Sequence, residues 1–212
     1  MGDSVHVWAA PAGAEPRAAA HNLLLDLAAE LVGGSPVLRH EATGRPYVDG
    51  LDVSISHSRN LLAVAAAVTG PVGVDVEDVY PRAVSGLAAR WFDPSELEWM
   101  ARQPDELVAF LHLWTAKEAV GKALGLGLRR AGLRRCVPLP MPSDGAALAA
   151  SRIASDGDLE LAVAHLPTGQ AAVLAVALPA ATTDVLLTEH HGAALRRIVT
   201  SRTSFPVVVR GS

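Results

Sequence analysis

The 212-residue chain has 18 basic residues, of which only two are lysines, Lys117 and Lys122, and both lie in one stretch, Trp114-Thr-Ala-Lys-Glu-Ala-Val-Gly-Lys122. Everywhere else positive charge is arginine, so these two mark places where a compact ammonium is wanted and a planar guanidinium is not. If Asp105 to Leu124 is helical, Leu107, Phe110, Leu111 and Trp114 form an i, i+3, i+4, i+7 apolar face. Extending that face places Glu118 and Gly121 on it and Lys122 at its edge. A carboxylate and an ammonium four residues apart then point toward the interior or a cleft. The alternative is an ordinary solvated Glu–Lys helix pair, worth only a few tenths of a kcal/mol.

Two further carboxylates sit on a strand. Val72 to Glu77 alternates strictly, with Val72, Val74 and Val76 on one side and Gly73, Asp75 and Glu77 on the other. On a strand the α-carbons of Asp75 and Glu77 lie roughly 6.5–7 Å apart, from where both side chains reach one hard cation. Taken alone, such a pair is as well explained by the wet face of an antiparallel sheet. With Glu118 the three make an oxygen-ligand set suited to Mg²⁺, which takes few carboxylates and completes its octahedron with water and substrate phosphates. Ahead of that strand, Gly44-Arg45-Pro46 and Ser54-Ile-Ser-His-Ser58 supply a guanidinium, hydroxyls and an imidazole. Singly these are turn and loop residues; together they make a phosphate-binding set, since each can donate to phosphate oxygens. The chain has no Walker-type loop, no Gly-x-Gly-x-x-Gly fingerprint and no Gly-x-Ser-x-Gly elbow.

The elements that must hold these groups are legible in outline. Arg17 to Val32 reads as a helix with Leu23, Leu24, Leu27 and Leu31 on one side and Gly33-Gly34 ending it. Asp52 to Ser56 and Asn60 to Val68 read as strands. Asp93-Pro-Ser-Glu96 is a capped helix start running to Ala101, and Gln103-Pro-Asp105 opens the lysine-bearing helix that Gly125-Leu-Gly127 ends. Pro138 to Ser143 reads as a loop, and Leu159 to His165 with Ala171 to Leu178 as a hairpin around Pro167-Thr-Gly169. The pattern changes at Asp78 to Tyr80, a subdomain seam. The tail from Ala181 to Ser212, with His190-His191 and Ala194-Leu-Arg-Arg-Ile, carries no motif, and its adjacent histidines read as exposed.

Composition sets the wider bounds. Half of the residues are hydrophobic but only 4% are aromatic, so a real core exists and is built from small aliphatic side chains. A net charge of −4 excludes an overall pull toward nucleic acid. Arg129, Arg130, Arg134 and Arg135 form a local basic cluster that reads as a solvated loop or a docking patch for an acidic partner. The lone Cys136 excludes an internal disulfide and a multi-cysteine zinc site, and reads as a small core residue. The start Met-Gly-Asp-Ser-Val-His has no basic n-region, and the longest apolar runs, Leu61 to Val68 and Ala171 to Pro179, are too short to cross a bilayer as helices. A soluble, cytoplasmic monomer with no membrane association is expected.

In order, Gly44-Arg45-Pro46, Ser54-Ile-Ser-His-Ser58, Gly73-Val-Asp-Val-Glu77, Phe92-Asp-Pro-Ser-Glu96 and Phe110 to Lys122 resemble the Sfp-type 4′-phosphopantetheinyl transferases. The resemblance covers Arg45 to Leu128. It implies an α+β fold of two similar subdomains related by a pseudo-twofold, residues 1–78 and 79–212, with the active site in the cleft between them. It also implies transfer of the 4′-phosphopantetheine arm of coenzyme A to a serine of an acyl, aryl or peptidyl carrier protein. Carried over, Asp75, Glu77 and Glu118 would hold Mg²⁺, and Glu118 would serve as general base. Lys122 would neutralise the pyrophosphate, and Arg45, Ser56 and His57 would hold the nucleotide end of coenzyme A. Lys117 would add positive potential. The family's basic N-terminal segment is thin here, with only Arg17 and Arg39 at hand. Two other readings are an unrelated Mg²⁺-dependent phosphohydrolase and a non-catalytic coenzyme A or carrier-protein binding module.

Overall fold

The computed structural model describes residues 3–42, 44–126, 132–141, 147–153, 160–169, 171–191 and 198–211. Arg129 and Arg130 of the basic cluster, Gly127, the end of the Pro138 to Ser143 loop, Leu159 and Ala194 to Arg197 lie outside the described residues. The elements in chain order are β1 (Ser4–Pro11), α1 (Pro16–Val32), β2 (Arg39–His40), β3 (Pro46–Val48), β4 (Leu51–His57), β5 (Leu61–Ala67) and β6 (Gly73–Asp78). There follow α2 (Ser85–Trp91), α3 (Pro94–Ala101), α4 (Glu106–Ala123), β7 (Leu148–Ile153), β8 (Leu161–Leu166), β9 (Ala172–Pro179), β10 (Asp184–His191) and β11 (Ile198–Arg210). Among the described residues the strands form one sheet in the order β2-β3-β4-β5-β1-β10-β11-β7-β8-β9-β6. The fold is α+β, as expected.

One connection plan occurs twice. β1 pairs antiparallel with β5, which leads to β4 and β3, and α1 follows β1 in the chain; β6 pairs antiparallel with β9, which leads to β8 and β7, and α4 follows β6. Alternation sorts the side chains into three layers. Leu61, Ala63, Ala65 and Ala67 of β5 and Leu174, Val176 and Leu178 of β9 share one core with Val72, Val74 and Val76. The opposite faces go to the helices: Leu62, Val64 and Ala66 lie under Leu23, Leu24 and Leu27 of α1. Val173, Ala175 and Ala177 lie under Phe110, Leu113, Ala116 and Val120 of α4. A strand buried on both faces needs small residues to let both neighbours approach, which accounts for so much alanine and so few aromatics.

The helix starts behave as their sequences require. Pro16 occupies the first turn of α1, and Gly33 ends it at φ 76°. Asp93 and Glu96 form the reciprocal capping box of α3. The apolar stripe of α4 is wider than expected, with Leu113, Ala116, Lys117, Ala119 and Val120 buried while Leu107, Trp114 and Glu118 are only partly so. The helix is covered on more than one side, by the sheet and by α3. The tail is also more than an appendage. β10 runs parallel to β1 and antiparallel to β11, and β11 reaches β7 in parallel, so the tail joins the two sets of strands. His191 is exposed as expected, but His190 is buried with its ring 4.7 Å from that of Trp8.

The seam expected at Asp78 falls at the end of β6, whose ladder partner is β9. α4 lies directly on β6 at Gly73, where an added Cβ would meet the Ala119 carbonyl oxygen at 1.9 Å and the Ala123 nitrogen at 2.7 Å. Backbone cannot yield as a side chain can. Gly73→Ala is therefore expected to cost about 3 kcal/mol or more by forcing α4 off the strand. Gly86→Ala, with nothing within 4 Å of the added carbon and a helical position, should gain about 0.5 kcal/mol. Denaturant unfolding of the two variants checks both signs.

Candidate functional site

β6 bears its hydrogen-bonded ladder on one side only; its other edge is closed by side chains. Val74 N–H donates to Ser54 Oγ at 3.0 Å and Val76 N–H to Ser56 Oγ at 3.3 Å. Lys122 Nζ donates to the Val74 carbonyl at 2.9 Å and to Asp75 Oδ1 at 2.7 Å, and Ser56 Oγ donates to the same Oδ1 at 2.7 Å. Asp75 Oδ2 is buried with no hydrogen-bond partner among the described residues. Glu77 pairs with Arg82 at 2.9 Å, and Asp78 accepts from the Asn60 backbone N–H at 3.1 Å.

The acids of this group disturb one another. Burial, then the neighbouring Asp75 and Glu77, push the Glu118 carboxyl up to about 7, with Lys122 pulling the other way. Burial also raises Glu77, against the pull of its hydrogen bond from Arg82. Among the described residues no three His, Cys, Asp or Glu stand together as a ready metal cluster. The donor chemistry nevertheless suits a hard cation: three all-oxygen side chains within electrostatic reach, two with raised pKa, and one buried carboxylate oxygen unpaired.

Beside this group opens a cavity of about 540 Å³ whose wall includes Arg17, His21, His40, Arg45, Ser54, His57 and Lys122. Arg17 and His21 come from the start of α1, His40 from β2, Arg45 from the residue just before β3, Ser54 and His57 from β4 and Lys122 from α4. Arg17, His40 and His57 all act electrostatically on His21, whose pKa lies below the usual imidazole value through burial first and these neighbours second. Arg45 enters the wall while paired with Asp52 at 2.6 Å. Lys122, a quarter exposed, belongs to both the carboxylate group and the cavity. Guanidinium, imidazole and ammonium groups around one space can all donate to phosphate oxygens.

The expected site residues thus separate. Asp75, Glu77, Glu118 and Lys122 are brought together, and Arg45 and His57 line the adjoining cavity. Ser56 does not line it; it is buried between β4 and β6 and bonded to Asp75. Lys117 is elsewhere altogether. Its fully buried ammonium pairs with Glu96 at 2.8 Å, donates to the Arg135 carbonyl at 2.5 Å and lies 5.3 Å from the centre of the Phe92 ring. Its compact charge is used to tie α4 to α3 and to the chain after it, since Glu96 also accepts from Val137 N–H. Cys136 is exposed, contrary to its reading as a core residue, and burial together with Glu96 and Asp93 raises its thiol pKa, which suppresses nucleophilicity. Arg39 pairs with Asp49 on the surface. No motif in the sequence marks His21 or His40; Arg17 and His21 are four apart on a helix, a spacing that places them on one face. Nothing in the spacing announces that β2 brings His40 to the same face.

A family model described as the 4′-phosphopantetheinyl transferase superfamily matches residues 71–177, half of the chain. The chain is 36% identical over 100 residues to the 4′-phosphopantetheinyl transferase HetI of Nostoc sp., covering 43% of this chain and 42% of that protein. It is 37% identical over 90 residues to a 4′-phosphopantetheinyl transferase of Bacillus subtilis, covering 40% and 39%. It is 33% identical over 95 residues to the 4′-phosphopantetheinyl transferase gsp of Aneurinibacillus migulanus, covering 43% and 39%. The matched stretch spans less than half the length of each of these relatives.

The raised carboxyl of Glu118 carries a signed consequence for stability. Its folded pKa of about 7 exceeds the ordinary glutamate value of 4.5, so between those limits the folded chain holds more of a proton than the unfolded one. Its contribution is full below the unfolded value and is lost as pH rises through the folded one. In the presence of a chelator, Glu118→Gln should therefore gain on wild type as pH rises across that window. Urea unfolding of both proteins over the window measures the difference, and a constant gap would contradict the electrostatic account.

Proposed function

The chain belongs to the 4′-phosphopantetheinyl transferase superfamily, and from that premise we propose that it moves the phosphopantetheine arm of coenzyme A onto a serine hydroxyl of an acyl, aryl or peptidyl carrier protein. The other product is adenosine 3′,5′-bisphosphate. The observation that carries this reading is Lys122, which touches the Asp75 carboxylate and the wall of the basic cavity at once. It links a place for pyrophosphate to a place for the nucleotide end.

Asp75, Glu77 and Glu118 would hold Mg²⁺, which when bound supplies positive charge against the pyrophosphate. Glu118 would also take the proton of the attacking serine, directly or through water. The Lys122 ammonium neutralises charge that grows on the leaving phosphate as the bond to phosphorus breaks. Arg45 and His57 receive the 3′-phosphate, and Arg17, His21 and His40 enlarge the positive wall. Ser56 and Lys117, which the resemblance alone would put on coenzyme A, act from outside the cavity. No helix among the described residues is long and apolar enough to cross a membrane. The same reading makes the chain a cytoplasmic monomer serving polyketide or nonribosomal peptide biosynthesis.

With coenzyme A, Mg²⁺ and an apo carrier protein, wild type should add the mass of the arm to the carrier, while Asp75→Ala and Glu118→Ala, still folded, should add none over the same time. Intact-mass spectrometry reads the outcome. Release of nucleotide without carrier modification would indicate a phosphohydrolase, and binding without turnover a non-catalytic module.

A second expectation concerns the nucleotide end. Wild type should bind coenzyme A more tightly than its 3′-dephospho form, and Arg45→Ala should narrow that gap by about tenfold, the value of one charge-assisted bond. Calorimetric titration of both ligands into both proteins completes the cycle. An unchanged gap would assign the 3′-phosphate to Arg17 and the imidazoles.

A further inference from the structure

We infer that Ser56 is the positioning residue of Asp75. Its hydroxyl fixes which carboxylate oxygen is left without a donor and so able to meet a cation, and it does so from outside the substrate cavity. The inference rests on the metal role assigned above to Asp75.

β6 ends the strand order among the described residues, so the outward N–H groups of Val74 and Val76 have no backbone ladder to pair with, although β4 lies beside them. Ser54 and Ser56, two apart on β4 and so on the same side of it, accept from those two groups in turn. Two hydroxyls thus replace the missing ladder. They are not equivalent, because a hydroxyl has one proton to give. Ser56 accepts from Val76 and sends its own proton to Asp75 Oδ1 at 2.7 Å. Ser54 has no such bond to Asp75.

Asp75 Oδ1 thereby receives two donors, Ser56 and Lys122, while Oδ2, although buried, receives none from the described residues. Free rotation would let both oxygens share the available donors. Ser56 approaches from β4 and Lys122 from α4, so the carboxylate is held between two elements. An unpaired buried oxygen is costly unless something else is meant to meet it. Ser56 is buried and absent from the cavity wall, so its effect passes through Asp75 and not through a substrate contact. Partners of metal ligands in this relation typically alter metal affinity ten- to a hundredfold.

The experiment titrates Mn²⁺, followed by electron paramagnetic resonance, into wild type, Ser54→Ala, Ser56→Ala, Ser56→Thr and Asp75→Ala, with and without coenzyme A, alongside thermal unfolding of each. Both alanine variants remove a hydroxyl from the same seam and should lower thermal stability comparably. Ser56→Ala alone should weaken Mn²⁺ by about tenfold or more, and Ser56→Thr, which keeps the hydroxyl, should recover most of it. If alanine at this position does not fold, Ser56→Cys, similar in shape and a weak donor, takes its place. Mn²⁺ affinity of the Ser56 variant within threefold of wild type, or an equal loss in Ser54→Ala, would overturn the inference while leaving the metal role of Asp75 standing. Wild type that binds no more Mn²⁺ than Asp75→Ala would overturn both.

Discussion

The site depends on one bare backbone contact, that of Gly73 on β6 against Ala119 and Ala123 on α4. Because the helix rests on the strand with no side chain between, the residues just before the two contact points, Glu118 and Lys122, come level with Asp75. Any side chain at Gly73 would lift the ammonium away from its carboxylate, which lies only 2.7 Å off. The layering of the whole molecule serves this approach. Small residues on β9 let α4 settle, and the valines of β6 anchor the other face of the strand in the central core.

Two lysines five residues apart on α4 are put to opposite uses. Lys117 is sealed with Glu96 and a backbone carbonyl, a closed arrangement in which every charge has a fixed partner. Removing one member of such a pair leaves an uncompensated buried charge, so its value lies in holding α3 and α4 in one relation. Lys122 is left partly open, sharing Asp75 with Ser56 at the mouth of a cavity. Around it the carboxylates remain under-compensated, as the raised Glu118 shows. A folded protein keeps such tension only where the surrounding packing enforces it.

Much of this was legible in the chain. Period-two alternation placed Asp75 and Glu77 on one face of β6, and the capping residues marked the start of α3 within a residue. The pairing of Asp75 with Lys122 was not legible from periodicity, because it depends on which helix crosses which strand. The burial of Lys117 is not legible for a related reason: a charged residue next to a site in sequence lies about 100° around the helix from it, and here that turn leads into the interior. Ser56 looked like a phosphate ligand because hydroxyl chemistry is the same wherever the group points. The imidazoles at positions 21 and 40 escaped notice since their meeting is made by tertiary topology alone.

The tail strands have a consequence for how this chain comes to exist. Ser4 on β1 finds its parallel partner at Asp184, and Val207 on β11 finds its partner at Leu148. During synthesis the free edge of β1 must wait until the residues of β10, about 180 positions later, have left the ribosome, because among the described residues no earlier segment fills that place in the order of strands. Pairings of such long sequence separation close late and slowly. Until then the first half is a half-finished sheet with an apolar, unprotected edge, and the same joint that later welds the halves is where the nascent chain is most exposed to sticking to its neighbours.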